Sequence, residues 1–324
     1  MIFIARHLCS HLFSLARKEK KIDIGPKIKL ILNIWILFMH FFKRALFTSL
    51  LCTQILSASE SNWKLDGHYT ATTKAKLDEP GREGEKIAFA SSRLRASYSH
   101  PLSEKSNVLV SLAHSGAEIN WKENPNFREN KFATLDLALV GQSMKVPHWF
   151  LQGALLTKVD TDAWNFSRYA LYQGFMWGRY SYSKLFGVHV GLSGTSGLRK
   201  DKVFPILGID YSPNAKWKFQ VIFPMDLSAK YKMSERWSLA AGAKSFRARH
   251  RLHKRENISQ GIFEYRSYGS ELSLNYEIQN FMAKIHSGMN FGGDLKISNS
   301  KGKDSIFYKY KSSVFFGSQL SYTF

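Results

Sequence analysis

The sequence predicts an all-β fold, a transmembrane antiparallel β-barrel of about fourteen strands (twelve to sixteen). Three observations predict it. Apolar and polar side chains alternate at period two through nearly every segment after residue 60. The connections, taken in order, alternate between long polar loops and tight turns. Beyond the first 60 residues no run approaches the ~18 apolar residues of a membrane helix. A chain of this kind spans a bilayer only by closing its sheet, because lipid satisfies no backbone polar group.

Residues 1–59 read as a leader and residues 60–324 as the barrel domain. Within the leader, Met39 is the expected start and 39–59 a secretory signal peptide. Lys43 and Arg44 precede an apolar run over 45–56, and small residues follow at 57–59. Residues 1–38 read as an upstream extension, with an uncleaved anchor as the alternative. Cys9 and Cys52 both lie in the leader, so the mature domain has no cysteine for a disulfide, a zinc site or a nucleophile. Leu51 is too large for the small residue that precedes a lipid-modified cysteine.

Strands are expected from Trp63 onward, then over 87–98, 107–120, 132–144, 149–159, 168–182, 185–196, 203–211, 216–223, 226–233, 236–250, 263–278, 281–297 and 304–324. Val108, Val110 and Leu112, or Leu272, Leu274 and Tyr276, show the alternation at its cleanest. Odd-numbered connections are long and charged: 77–86, 121–131, 160–167, 197–202, 251–262 and 298–303. Even-numbered ones are mostly short, among them 145–147, 183–184, 234–235 and 279–280. The tight Pro224-Met225 turn is the exception among the odd set. Trp149, Trp217, Trp237, Tyr98, Tyr182, Tyr211, Tyr231 and Tyr322 fall near the short turns, where an interfacial girdle belongs.

The last stretch, SSVFFGSQLSYTF, places Val314, Phe316, Leu320, Tyr322 and Phe324 on one face and Gly317, Gln319, Ser321 and Thr323 on the other. It resembles the closing strand of bacterial outer-membrane barrels. That resemblance implies that Tyr322 and Phe324 act as an assembly signal read by the barrel-assembly machinery. The segment FQVIFPMDLSAKYKMSERWSLAAG, 219–242, resembles a family of uncharacterised, porin-like outer-membrane β-barrel domains and implies the fold alone.

The formal net charge is +21, and residues outside the leader keep 37 basic and 23 acidic side chains, a net +14. The basic residues are scattered singly through strands, so no nucleic-acid partner is expected. A fourteen-stranded barrel is roughly 28 Å across, too wide for side chains alone to fill. Candidates for its lining are Lys64, Arg93, Arg95, Asp136, Lys218, Lys230, Lys244, Glu271, Glu277 and Lys284, with Asp66, Asp210 and Asp226 on the same parity. The loop over 251–262 is the candidate for any occlusion. Arg247, Arg249 and Arg251 share the lipid-facing parity of Trp237, and contact with anionic lipid and glycolipid head groups is expected there.

Neither catalysis nor a cofactor or metal is expected. His286-Ser287 and His114-Ser115 are adjacent pairs, which a strand points to opposite faces, and a nucleophile and its base need a shared face. The expectation is a bacterial outer-membrane barrel that passes small solutes with mild anion preference. The alternatives are a non-conducting structural or surface-exposed barrel and, less favoured, a lipid hydrolase. The sequence sets no oligomeric state.

Overall fold

The computed structural model describes residues 62–324, apart from Glu83, residues 162–168 and Met225. The leader, its cleavage site and both cysteines lie outside the described residues.

Fourteen antiparallel strands form the wall. They are β1 (Trp63–Thr72), β2 (Lys86–Ser103), β3 (Ser106–Trp121), β4 (Lys131–Ser143), β5 (Trp149–Asp160), β6 (Ala170–Ser181) and β7 (Phe186–Gly197). Then follow β8 (Lys202–Tyr211), β9 (Trp217–Phe223), β10 (Asp226–Lys232), β11 (Trp237–Arg251), β12 (Ile262–Ile278), β13 (Phe281–Ser298) and β14 (Ser313–Thr323). Each pairs with its chain neighbours. The ring closes where β1 pairs β14, from Lys64↔Thr323 to Thr72↔Phe315. A closed ring leaves no edge at the seam, and that permits a sheet to face hydrocarbon.

The outward face is oily. Leu155, Met176 and Val203 are 67%, 74% and 74% exposed on it, and exposure on that scale around a whole wall marks a surface made for an apolar medium. At the short-turn end the aromatics pair across neighbouring strands. Trp63 meets Tyr98 at 5.1 Å, Trp149 meets Tyr180 at 5.3 Å, Trp217 meets Tyr231 at 4.7 Å and Trp237 meets Tyr276 at 4.8 Å, centroid to centroid. These rings mark one bilayer interface.

The last predicted strand is in fact two pieces. Ile306–Tyr310 pairs the outer part of β13, and β14 pairs the rest. Gly292, at φ 90°, makes the break possible. Asn290 Oδ1 accepts from the Gly292 and Ser313 amides at 3.2 and 3.1 Å and holds the break in place. The irregularity flips the parity of β13. Lys284, His286 and Asn290 face in below it; Leu295 and Ile297 face in above it.

That flip helps to build an apolar cluster inside the long-loop end of the ring. Ile87, Ile119, Trp121, Phe132, Phe263, Tyr265, Leu295 and Ile297 come from the wall, and Leu77, Phe127, Leu252, Tyr308 and Tyr310 from the connections. Phe132 on β4 stacks on Phe263 of β12 at 5.7 Å and on His250 of β11 at 4.8 Å. Phe89 on β2 stacks on Tyr265 of β12 at 3.7 Å. The strands β4 and β11 stand on opposite sides of the ring. The outer ends of β11–β13 therefore lean across the mouth and seal against β2–β4. The 252–261 loop joins this seal through Leu252 and Ile258. Leu77, Phe127, Tyr308 and Tyr310 join it from other connections.

Candidate functional site

Below the seal the inner wall carries charge in sets, each set drawn from neighbouring strands by register. Asp66 on β1 accepts from Arg95 at 3.1 Å, lies 3.5 Å from Lys64 and accepts from Ser321 Oγ of β14 across the seam. Asp136 on β4 lies 3.1 Å from Arg93 and 3.8 Å from Lys158, and it accepts from Ser115 and Thr134, each at 2.8 Å. Glu271 on β12 lies between Lys244 at 2.9 Å and Lys284 at 2.6 Å. In each set one carboxylate meets two cations. These sets therefore give the wall a positive surplus while each of the three carboxylates is paired, as burial requires.

All ten predicted lining residues fall on this inner face. Lys230 reaches Glu277 at 3.3 Å, and Lys218 stands opposite Lys230 in register. Sequence reading missed Lys158 and Arg179, although both share the inward parity of their strands. It placed Asp210 on the inner face but missed the partners that share this carboxylate. Asp210 on β8 takes two bonds from the Arg179 guanidinium, each 2.7 Å, and lies 2.6 Å from His189 Nε2. Trp177 stacks on that imidazole at 5.3 Å. No sequence spacing signals this trio, because it spans three strands. Nearby, Thr70 Oγ1 lies 3.1 Å from both His68 and His286, whose rings stack at 5.6 Å.

The three arginines of β11 are placed differently from expectation. Arg247, Arg249 and Arg251 do share the outward parity, but the strand end that carries them leans over the mouth. Arg249 donates to Glu264 and to the Leu198 carbonyl, each at 2.5 Å, and is 10% exposed. Arg251 is buried and lies over the Tyr169 ring at 5.4 Å. Arg247, 3.2 Å from Glu264, stays 40% exposed. Lys200 from the β7–β8 loop completes the cover on Glu264 at 2.5 Å. Burial lowers the pKa of the Lys200 amine, and its pairing with Glu264 opposes that shift. Of the three arginines, only Arg247 keeps a guanidinium open to a further partner at the surface.

Between the arginine face and the inner wall lies a cavity of about 310 Å³, lined by His68, Arg93, Lys158, Gln173, Thr195 and Arg247 among others. Among the described residues no group of His, Cys, Asp and Glu is arranged to hold a metal ion. The adjacent His–Ser pairs diverge: His114 is exposed on the outward face, while Ser115 bonds Asp136 inside.

The family described as a domain of unknown function (DUF6268) matches residues 147–323, more than half of the chain. The chain belongs to that family. The DUF6268 match takes in β5–β14 and with them the Asp210 trio, the Glu271 set and the arginine face. It supports the resemblance read at 219–242. An uncharacterized protein of Chlamydia pneumoniae is 27% identical over 236 residues, covering 67% of this chain and 73% of its own. One from Chlamydia trachomatis is 27% identical over 242 residues, covering 69% and 76%. Among solved structures, an outer membrane channel from Pseudomonas putida F1 superposes with a TM-score of 0.48 at 9% identity, covering 82% of this chain and 97% of that one. The translocator domain of the autotransporter NalP from Neisseria meningitidis gives 0.39 at 10% identity, covering 88% and 96%.

Proposed function

We propose that this barrel sits in a bacterial outer membrane and passes small solutes, with a mild preference for anions. One observation carries the reading: each inner-wall carboxylate of the Asp66, Asp136 and Glu271 sets is outnumbered two to one by cations. Opposed charges along a pore wall set its field, and a surplus of one sign favours the counter-ion. No step of covalent chemistry is part of this function. The terminal Tyr322 and Phe324, stacked edge-on at 4.8 Å beside the β1–β14 seam, serve the assembly machinery.

The apolar seal across the mouth favours a second reading, a barrel that is closed at rest or purely structural. Purified protein in planar bilayers separates the two. Stepwise conductance with a reversal potential displaced toward the anion potential is the expected result. Silent membranes across the accessible voltage range would leave the structural reading in place.

A further inference from the structure

The wall has a gap. Strands β9 and β10 have seven residues each, short of the 9–11 or so that a tilted strand needs to cross a bilayer. Strand β9 pairs β8 only between Phe219↔Tyr211 and Phe223↔Leu207. Strand β10 pairs β11 only between Ser228↔Gly242 and Lys232↔Ser238. Among the described residues, 202–206 of β8 and 243–251 of β11 thus have no strand partner on the edges that face each other above the β9–β10 turn. The gap is roofed where Lys200 meets Glu264 and Arg249 meets the Leu198 carbonyl. It is a window, with a short hairpin as its sill.

Two further observations show what the window connects. The 310 Å³ cavity is lined by the inner-wall residues Arg93, Thr134 and Gln173, and also by Arg247 and Arg249. Those two arginines lie on the outward face of β11, whereas Phe246 and Ala248 face the apolar cluster. The same cavity is lined by Ala248 and His250 from the inward face of β11, so it touches both faces of that strand and passes round its free edge. Unpaired backbone edges are not tolerated against hydrocarbon but are tolerated where they line a wet cavity. The sill and the β8 post are apolar on the outside: Phe223, Leu227, Val203 and Leu207 are 60%, 52%, 74% and 57% exposed. The β11 post turns polar at the same height, from Ala243 to Ser245 and Arg247.

The charge within is one-sided. Arg93, Lys158, Lys200, Arg247, Arg249 and Arg251 line the cavity. Against them, among the described residues, stand Asp160 in the lining and Asp136 and Glu264 bonded to it, six basic side chains to three acidic ones. We infer that the window is a lateral entrance for an anionic amphiphile of the outer leaflet. Its phosphate head enters the cavity past Arg247, and its hydrocarbon tail stays in the bilayer against Val203 and Leu227. Guanidinium forks match phosphate oxygens, and a tail left in lipid costs no transfer of apolar surface to water. The inference rests on the membrane-barrel reading and not on conduction.

The test uses the protein in lipid nanodiscs with two photoreactive dodecyl phosphates, one carrying its diazirine beside the head and one at the tail end. The head-proximal probe is expected to label cavity residues such as Gln173 and Leu198, and the tail probe to label Val203 and Leu227. Excess dodecyl phosphate should lower the cavity adducts about tenfold while inorganic phosphate does not, and Arg247→Gln should lower them about fivefold with tail adducts unchanged. If Arg247→Gln fails to assemble, Ser245→Trp fills the window and should give the same loss. Head-proximal labelling confined to outward residues such as Val190 and Leu272 overturns the entrance, and so does equal competition by inorganic phosphate. Loss of tail adducts from the unaltered protein would instead remove the membrane-barrel reading, and the entrance with it.

Discussion

Phe132 and His250 stack with ring centroids 4.8 Å apart, although their strands, β4 and β11, stand on opposite sides of a fourteen-stranded ring. A cylinder of that strand number is roughly 28 Å across. Contact across it means that one arc of the wall folds over the mouth. The cause is visible in the pairing. Strand β11 is released from β10 above Gly242, so its outer end can lean inward with β12 and β13. Apolar residues on both sides then bury one another.

The first prediction concerns that seal. Phe263 is buried between Phe127 at 5.5 Å and Phe132 at 5.7 Å. Phe263→Ala removes the ring that joins the leaning arc to β4. It is expected to lower unfolding stability by about 3–5 kcal/mol and to raise bilayer conductance above that of the unaltered protein. Urea titration in detergent checks the first effect, single-channel recording the second. An unchanged conductance with the expected stability loss would show that the seal is not what limits passage.

The wall charges give a second prediction. Lys244 and Lys284 both pair Glu271, at 2.9 and 2.6 Å. Replacing both with Gln leaves one uncompensated carboxylate on the inner wall. Reversal potentials in a KCl gradient should move toward cation selectivity. Asp136→Asn frees Arg93 and Lys158 and should move them the other way. A shift of the same sign in both variants would sink the assignment of these sets to the conduction path.

Much of this was legible in the sequence, and what was hidden has a physical cause. Period-two alternation gave the strand count, and loop length sorted by parity gave the two ends. Both survive because in- and outward-facing side chains meet different media on every strand. The seal was hidden because parity is a local signal. Once Gly292 and Asn290 break the phase, Leu295 and Ile297 turn inward on a parity that lower down the strand faces lipid. The burial of Arg249 and Arg251 was hidden for a related reason. Their parity is outward as expected, but a strand freed of its neighbour carries its outward face over the mouth. The His189–Asp210 contact at 2.6 Å depends on the register between two strands, and alternation does not fix that register.

A third prediction follows from Asp210. It is buried and accepts two 2.7 Å bonds from Arg179 as well as contacting His189. Asp210→Asn keeps the shape and removes the charge. Hydrogen bonds between charged groups contribute roughly 1.5–3 kcal/mol each, and Arg179 is 29% exposed, so a loss of about 2 kcal/mol is expected. Asp210→Ala should cost more, since it strands the guanidinium altogether. Equal midpoints for the two variants in denaturant would show that the trio contributes packing alone.

The last prediction tests what holds the leaning arc in place. Glu264 is 1% exposed and meets Lys200 and Arg249, each at 2.5 Å, and Arg247 at 3.2 Å. No other carboxylate among the described residues is paired with so many cations across so many elements. It links β12 to β11 and to the β7–β8 loop, which together roof the window. Glu264→Gln keeps the volume but leaves the cations in a confined space without a counter-charge, a change that costs about 3–5 kcal/mol where such a pair is buried. Because the sites lie at the rim, the cost is expected to appear as local opening and not as loss of the barrel. Amide exchange should quicken over residues 198–201 and 246–251, while β1, β14 and the inner ends of β4–β7 keep their protection. Exchange that quickens uniformly round the ring would mean that Glu264 supports the whole wall, and unchanged exchange at 198–201 would mean that the roof is held by the apolar seal alone.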